Sequence, residues 1–312
     1  MPEITPNFHI VKTRFSGDLM IYDTVIVGGG PAGVAAAIQL FRSGFEILLL
    51  EKNQIGGLML NASLVENYPG FPLGIRGKEL AELFRKHLKK TRIRHELGEV
   101  KEIERRQEIY AVRARQQQVE CRTLIIATGT LPKKLMVPGE GKLIGSRLFY
   151  EIEDLPFLGK EKIVTVIGSG DIAFDYALNV ANNGINASLV MRGERQKCMF
   201  SLFRSAVEHS KIKIFKNTLV NELLNEGNKI VLKGDSNEKL LSTDFVLVAV
   251  GREPNLGFLP AKWQRLLVMN SDALEHVGVF LAGDVNPHNF RHVGIAVGDG
   301  LAAAMKVARF LA

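Results

Sequence analysis

The sequence predicts an α/β protein of two three-layer units, one inserted into the other, and three observations carry that prediction. An apolar run, Tyr22-Asp23-Thr24-Val25-Ile26-Val27, feeds Gly28-x-Gly30-x-x-Gly33 and then an apolar-periodic helix. The same device recurs where Val164-Thr165-Val166-Ile167 feeds Gly168-x-Gly170-x-x-Ala173. Each copy is followed by a second apolar strand, a stretch that reads as a β-meander, and a closing apolar strand ending in glycine. A glycine triplet alone is a weak signal. Between a buried-strand pattern and a helix it is the Rossmann-like context, in which backbone N–H groups approach a pyrophosphate and the helix N-terminus favours its charge. Two such turns imply two dinucleotides, and two dinucleotides suggest electron transfer between them.

In the first unit the second strand is Glu46–Glu51, the meander runs from about Gly98 to Arg122, and the closing strand is Leu124–Gly129. The matching pieces of the second unit are Ala187–Arg192, the stretch Ile212–Leu241 and Phe245–Gly251. The chain then returns through Arg252-Glu253-Pro254-Asn255 to the strand Gly278–Ala282, the turn Gly283-Asp284-Val285 and a helix from about Val293 to Leu311. The economical reading inserts the second domain into the first at crossings marked by Gly and Pro. The first domain is then 1–131 and 253–312, with 1–20 as an N-terminal extension, and the second is 132–252.

At 312 residues, 46% hydrophobic and 23% charged, the chain has room for two cores and an ordinary globular composition. No apolar run approaches the ~18–20 residues of a membrane span. The first twenty residues carry Glu3, Lys12, Arg14 and Asp18 and do not read as a secretory signal. The only cysteines are Cys121 and Cys198, with no Cys-x-x-Cys and no His/Cys cluster spaced for a metal, so a cytoplasmic setting is the default. The net charge is +7, densest between Arg85 and His95 at the end of a helix begun near Gly77. Such a run is ordinarily solvated surface and suits the helix dipole; docking of an acidic electron carrier is the other reading. No nucleic-acid motif accompanies the charge.

Glu51 stands at the end of the second strand, 23 residues after Gly28, where a carboxylate accepts hydrogen bonds from a ribose diol. The equivalent position after Gly168 is Met191, followed by Arg192, with Arg195 and Lys197 nearby. A guanidinium in place of the ribose-binding acid favours a 2′-phosphate, so NADPH is expected over NADH.

The ordered set Gly28–Gly33, Gly56-Gly57, Val65–Pro72, Ala127–Gly129, Gly168–Ala173, Gly283-Asp284 and Arg291-His292-Val293 with Ala296 and Gly300 resembles the low-molecular-weight thioredoxin reductase family. The resemblance covers nearly the whole chain beyond residue 20. It implies FAD in the first domain, a nicotinamide nucleotide in the second, and a homodimer formed largely by the FAD domains. By the same resemblance the FAD contacts are Gly28, Gly30, Pro31, Ala32, Gly33, Glu51, Lys52, Gly57, Leu58 and Asn67. They continue with Val100, Ala127, Thr128, Gly129, Gly283, Asp284, Arg291, His292, Val293 and Ala296. Asp284 would meet a ribityl hydroxyl, and the last helix would aim its N-terminus at the flavin. His292 replaces the family's usual glutamine and puts a titratable group beside it. The nucleotide contacts of the second domain are Gly168, Ser169, Gly170, Asp171, Ala173, Arg192, Arg195 and Gly251. Where the family usually carries His-Arg-Arg, this chain has Met191-Arg192-Gly193.

The departure concerns the dithiol. Counted back from Gly168, the family's two cysteine positions fall on Glu151 and Asp154. Carboxylates cannot undergo dithiol–disulfide exchange, so thioredoxin reduction by the family's route is not expected. Cys121 opens an apolar strand and reads as core; Cys198 has no partner nearby in sequence. Tyr150 or Phe149 could stack near the flavin in the dithiol's place, or serve as a packing anchor. The expected function is an NADPH-dependent flavoprotein oxidoreductase acting on a small acceptor such as a quinone, a disulfide compound or oxygen. A ferredoxin– or flavodoxin–NADP reductase and a non-catalytic nucleotide-binding sensor are the alternatives.

Overall fold

The computed structural model describes residues 15–16, 19–115, 117–235, 238–287 and 290–312. The extension expected over 1–20 falls largely outside them. The chain divides into two compact units. One takes the chain up to Leu60, Leu64–Thr130 and Pro254–Ala312; the other takes Leu131–Glu253 together with Asn61–Ser63.

The first unit is built on a parallel core in the order His95–Leu97, Ile47–Glu51, Leu19–Val27, Gln117–Ile126, with Val279–Leu281 alongside the last. Register places Ile26, Leu49, Ile125 and Phe280 in one row across these strands. That row packs against Ala32, Ala36 and Leu40 of the helix Pro31–Arg42 and Ala303 and Val307 of the helix Val293–Leu311. The alternate residues Val25, Leu48, Leu124 and Val279 face the opposite layer, with Tyr110, Val112 and Leu267. A sheet covered on both faces explains why its strands read as continuous apolar runs. Gln117–Ile126 carries the same sheet on into the meander: its start pairs antiparallel with Ile109–Ala114, which pairs antiparallel with Val100–Arg106. The two helices touch backbone to backbone, since a Cβ on Gly300 would lie 2.1 Å from the carbonyl oxygen of Ala32.

The second unit repeats the plan with a five-stranded parallel sheet in the order Ile212–Phe215, Asn186–Val190, Ile163–Ile167, Phe245–Val248, Leu148–Phe149. The helix Asp171–Asn182 packs on it through Ala173, Phe174 and Ala177. One expectation is corrected here. Ile212–Phe215 belongs to the parallel sheet, and the meander is Glu222–Glu226, Lys229–Lys233 and Lys239–Thr243. An edge strand and a meander strand alternate alike in sequence; here Ile212 and Ile214 face one core and Phe215 the other. Leu148–Phe149 is a short strand paired with Val246 and Leu247. Among the described residues no helix is long and apolar enough to cross a membrane.

Candidate functional site

The two glycine turns are built alike, and each separates a glycine the fold requires from one it does not. A Cβ on Gly28 would lie 2.3 Å from the carbonyl oxygen of Ala127, and a Cβ on Gly168 would lie 2.3 Å from that of Ala249. Gly28 also has φ +110, a conformation side chains resist. These first glycines let the turn pass under the closing strand. A Cβ on Gly30 would meet only the Cα of Gly57, at 3.9 Å, and one on Gly170 would meet nothing within 4 Å. Packing leaves both positions open, as the approach of a pyrophosphate requires. Gly30 is the N-cap of its helix and Pro31 follows at the first turn, where a missing N–H is harmless. The third glycine, Gly33, again belongs to the fold: its Cβ would fall 1.8 Å from the oxygen of Gly28. Ala173 holds the matching place and is fully buried.

Beside the first turn the Glu51 carboxylate accepts the backbone N–H of Gly29 at 2.7 Å through one oxygen and that of Asn53 at 2.9 Å through the other. These bonds hold the carboxylate at the rim of a cavity of about 320 Å³. Gly28, Glu51, Lys52, Val100 and Thr128 all line that cavity. Sequence reasoning missed Gly98, Asn255, Gly257 and Phe258 of the same wall. Gly98 begins the meander and the others lie past the inserted unit, so no local motif marks them. Thr128 is tied to this wall by donating its hydroxyl to the carbonyl of Asn255 at 2.7 Å.

Further along the same unit, Gly283 opens the turn Gly283–Val285 at φ +75, and its Cβ would lie 2.7 Å from that of Ala32. Asp284 therefore follows directly from a backbone packed on the first glycine helix. Ala296 is buried beside this turn, and Val293 starts the last helix. The Asn67 amide donates to Nδ1 of His292 at 3.0 Å. An amide N–H can only donate, so Nδ1 accepts and a neutral His292 carries its proton on Nε2. Arg291 is exposed, Leu58 is half-buried in the short turn Gly57–Asn61, and Gly129 has open space around it. A carboxylate for a ribose, an uncovered glycine at a helix start and an acid near a second helix start match an extended dinucleotide. The residues present fit FAD.

In the second unit the loop after Val190 folds back on its own glycine turn. Lys197 donates its backbone N–H to the carbonyl of Ser169 at 2.7 Å and bridges Gly170. The Asp171 carboxylate accepts the N–H of Met199 at 2.8 Å, so this residue anchors the loop. Arg192 and Arg195 are exposed beside the turn, whereas Met191 is fully buried. Gly251 has φ +127 at the end of the closing strand. An open glycine beside exposed cations fits a phosphorylated nicotinamide nucleotide.

At the positions counted back from Gly168 for a dithiol the side chains are acidic, Glu151 and Asp154. Glu151 Oε1 pairs with Arg252 Nη1 at 2.8 Å, and the Arg252 side chain is only 5% exposed. Glu151 Oε2 accepts from the Tyr176 hydroxyl and from the Asn61 amide, each at 2.8 Å. Burial, then the charge of Glu151, pushes the Tyr176 phenol above its usual range. Within this unit Phe149 is buried against Phe245, and Tyr150 donates its hydroxyl to Glu140. Cys121 is fully buried, and burial pushes its thiol well above the ordinary range. Burial, with the charge of Asp171, pushes Cys198 up to about 11. Neither thiol is activated as a nucleophile.

Two dinucleotide cradles of this form define a pyridine-nucleotide-linked flavoprotein oxidoreductase. The family described as pyridine nucleotide-disulphide oxidoreductase matches residues 22–300, and the chain belongs to that family. It is similar to the thioredoxin reductase of Bacillus subtilis, 31% identical over 308 residues, covering 93% of this chain and 95% of that one. The crystal structure of thioredoxin reductase from Lactococcus lactis is 28% identical with a TM-score of 0.83, covering 93% of this chain and 99% of that one. That from T. acidophilum is 30% identical, with the same TM-score of 0.83 and coverage of 93% and 99%. Bacillithiol disulfide reductase from Staphylococcus aureus shares the fold, at 20% identity and a TM-score of 0.72, covering 93% of this chain and 98% of that one. The chain is thus an NAD(P)H-dependent flavoprotein oxidoreductase of thioredoxin reductase-like type, with FAD and NADPH as cofactors.

Proposed function

We propose that this protein carries electrons from NADPH through FAD to a small-molecule acceptor, without a redox dithiol. The observation that carries this reading is Glu151: the first cysteine position is filled by a carboxylate committed to the buried Arg252. When bound, FAD supplies two-electron chemistry between the nicotinamide nucleotide and the acceptor. The FAD-binding domain is 1–131 and 253–312, and the nucleotide domain is 132–252. In the first, Glu51 holds the adenosine ribose, and the N–H groups beyond Gly30 face the pyrophosphate. Asp284 meets the ribityl chain, and Asn67 orients His292 at the flavin end. In the second, Gly170 admits the pyrophosphate, and Arg192 with Arg195 selects the 2′-phosphate against NADH. The protein acts as a cytoplasmic homodimer.

A second reading, reduction of a ferredoxin or flavodoxin, is favoured by one feature. Lys86, Lys89, Lys90 and Arg92 are exposed at the end of the helix Gly77–Thr91 and form no ion pair among the described residues. Steering of an acidic carrier to this face would make turnover fall steeply with salt. Anaerobic titration with NADPH, followed by small acceptors and a ferredoxin at two ionic strengths, separates the readings. Salt-insensitive turnover of small acceptors supports the first. A flavin that NADPH fails to reduce would leave only a nucleotide-binding sensor.

A further inference from the structure

We propose that Lys133 is a further residue of the nicotinamide-nucleotide site, holding the phosphate on the nicotinamide side of the dinucleotide. This rests on the reading of the second unit as a nucleotide cradle, and adds a contact on the side away from Arg192.

Ligands of open α/β sheets lie beyond the carboxyl ends of the strands, at the point where the strand order reverses. In the second unit that point falls between Ile163–Ile167 and Phe245–Val248. From Ile163–Ile167 the chain goes on to Asn186–Val190 on one side, and it returns as Phe245–Val248 on the other. The glycine turn sits in this crevice, since a Cβ on Gly168 would lie 2.3 Å from the carbonyl oxygen of Ala249, just past the returning strand. Arg192 and Arg195 follow Asn186–Val190, so they flank the crevice from one side only. A dinucleotide with its 2′-phosphate there extends its nicotinamide half towards the end of Phe245–Val248.

Gly251 stands at that end with φ +127, and Lys133 lies over it. The Lys133 backbone N–H donates to the Gly251 carbonyl at 3.0 Å. A Cβ on Gly251 would lie 3.6 Å from Cδ of Lys133, so the lysine stem runs past the glycine. The segment is fixed a little further on as well. The N–H groups of Leu135 and Met136 donate to the two carboxylate oxygens of the buried Glu140, each at 2.8 Å. A cation on a held backbone loses less freedom on meeting a ligand than one on a loose segment. Lys133 is exposed and forms no ion pair among the described residues, which leaves its charge to an incoming anion.

The two sides of the crevice then read different parts of the ligand. Arg192 meets the 2′-phosphate, which only the phosphorylated nucleotide carries. Lys133 meets a phosphate that both nucleotides carry, and an ammonium on a flexible stem serves there as a point charge. Lys133 therefore contributes affinity for the whole dinucleotide and none for the adenosine half alone.

NADP⁺ and 2′,5′-ADP, its adenosine half, are titrated calorimetrically into the oxidised, FAD-loaded protein, so that binding is read apart from turnover. Lys133→Met keeps the stem over Gly251 and removes the charge. It should weaken NADP⁺ about five- to tenfold, as expected for one phosphate contact near the surface, and leave 2′,5′-ADP unchanged. Lys133→Arg should restore NADP⁺ binding to within about twofold, because the charge returns. Melting temperatures report whether each variant is folded. Unchanged NADP⁺ affinity in a folded Lys133→Met overturns the proposal, as do equal losses for NADP⁺ and 2′,5′-ADP. Failure of the wild type to bind either ligand would instead overturn the cradle reading itself.

Discussion

Glu151 and Arg252 form an ion pair of 2.8 Å at a position where dithiol relatives are expected to carry a cysteine, and the arginine side chain is 5% exposed. Removing the carboxylate takes an ion-pair partner from a buried guanidinium, which costs more than the pair itself contributes. Glu151→Ala should therefore destabilise the protein by about 2–4 kcal/mol, read from urea unfolding. Adding Arg252→Met should recover most of the loss. If Glu151→Ala alone is neutral, the pair does not organise this segment.

The two kinds of glycine should separate fold from ligand. Gly30→Val and Gly170→Val meet little or no protein. They should give folded proteins with wild-type circular dichroism, the first without FAD and the second unable to bind NADPH. Gly28→Ala, facing the Ala127 oxygen at 2.3 Å and φ +110, should lower stability itself. Retention of stoichiometric FAD by Gly30→Val would remove that turn from the site.

Nucleotide preference should follow one side chain. Arg192→Glu should lose NADPH preference by about 1.5–3 kcal/mol in kcat/KM, the worth of a charge-assisted hydrogen bond. Equal NADH and NADPH kinetics in the wild type would contradict the assignment.

Electron flow should not need thiols. Cys121→Ser/Cys198→Ser should retain flavin reduction by NADPH, followed at the flavin absorbance bands under anaerobic conditions. Thioredoxin turnover in the wild type that disappears in this variant would show a thiol route after all.

Acid stability should depend on Asp244. Burial acts to raise its carboxyl, but bonds from Lys229 at 2.7 Å and the Ile163 N–H at 2.9 Å, with the Lys229 and Lys162 charges, hold it below the usual range. The folded state then binds a proton less readily than the unfolded chain. The stabilisation is complete above the ordinary aspartate value of about 3.9 and is lost as pH falls through the lower folded value. Asp244→Asn should cost about 1–3 kcal/mol near neutrality, and the gap to wild type should close on acidification. A gap that stays constant to pH 2 would exclude this linkage.

Much of the protein was legible in its residues. The glycine turns, the apolar strands around them and the run Gly283-Asp284 each act through backbone geometry within a few residues, and such geometry leaves a local pattern. The absence of a dithiol was equally plain, because it is a matter of residue type. The meander of the second unit was misread from Ile212 because side-chain alternation is the same whether a strand's partner runs parallel or antiparallel.

What only the tertiary structure decided are relations between residues far apart in the chain. Nothing near Glu151 in sequence announces Arg252, one hundred and one positions on, or the Tyr176 hydroxyl and Asn61 amide that complete its bonds. Nor does the turn at Glu51 reveal that Asn255 and Phe258 close its cavity from beyond the inserted unit. Local pattern fixes which segments become strands, helices and turns, because those depend on torsions and on burial along one element. The electrostatic partner of a buried charge and the walls of a cavity depend on which elements pack together, and folding alone sets that.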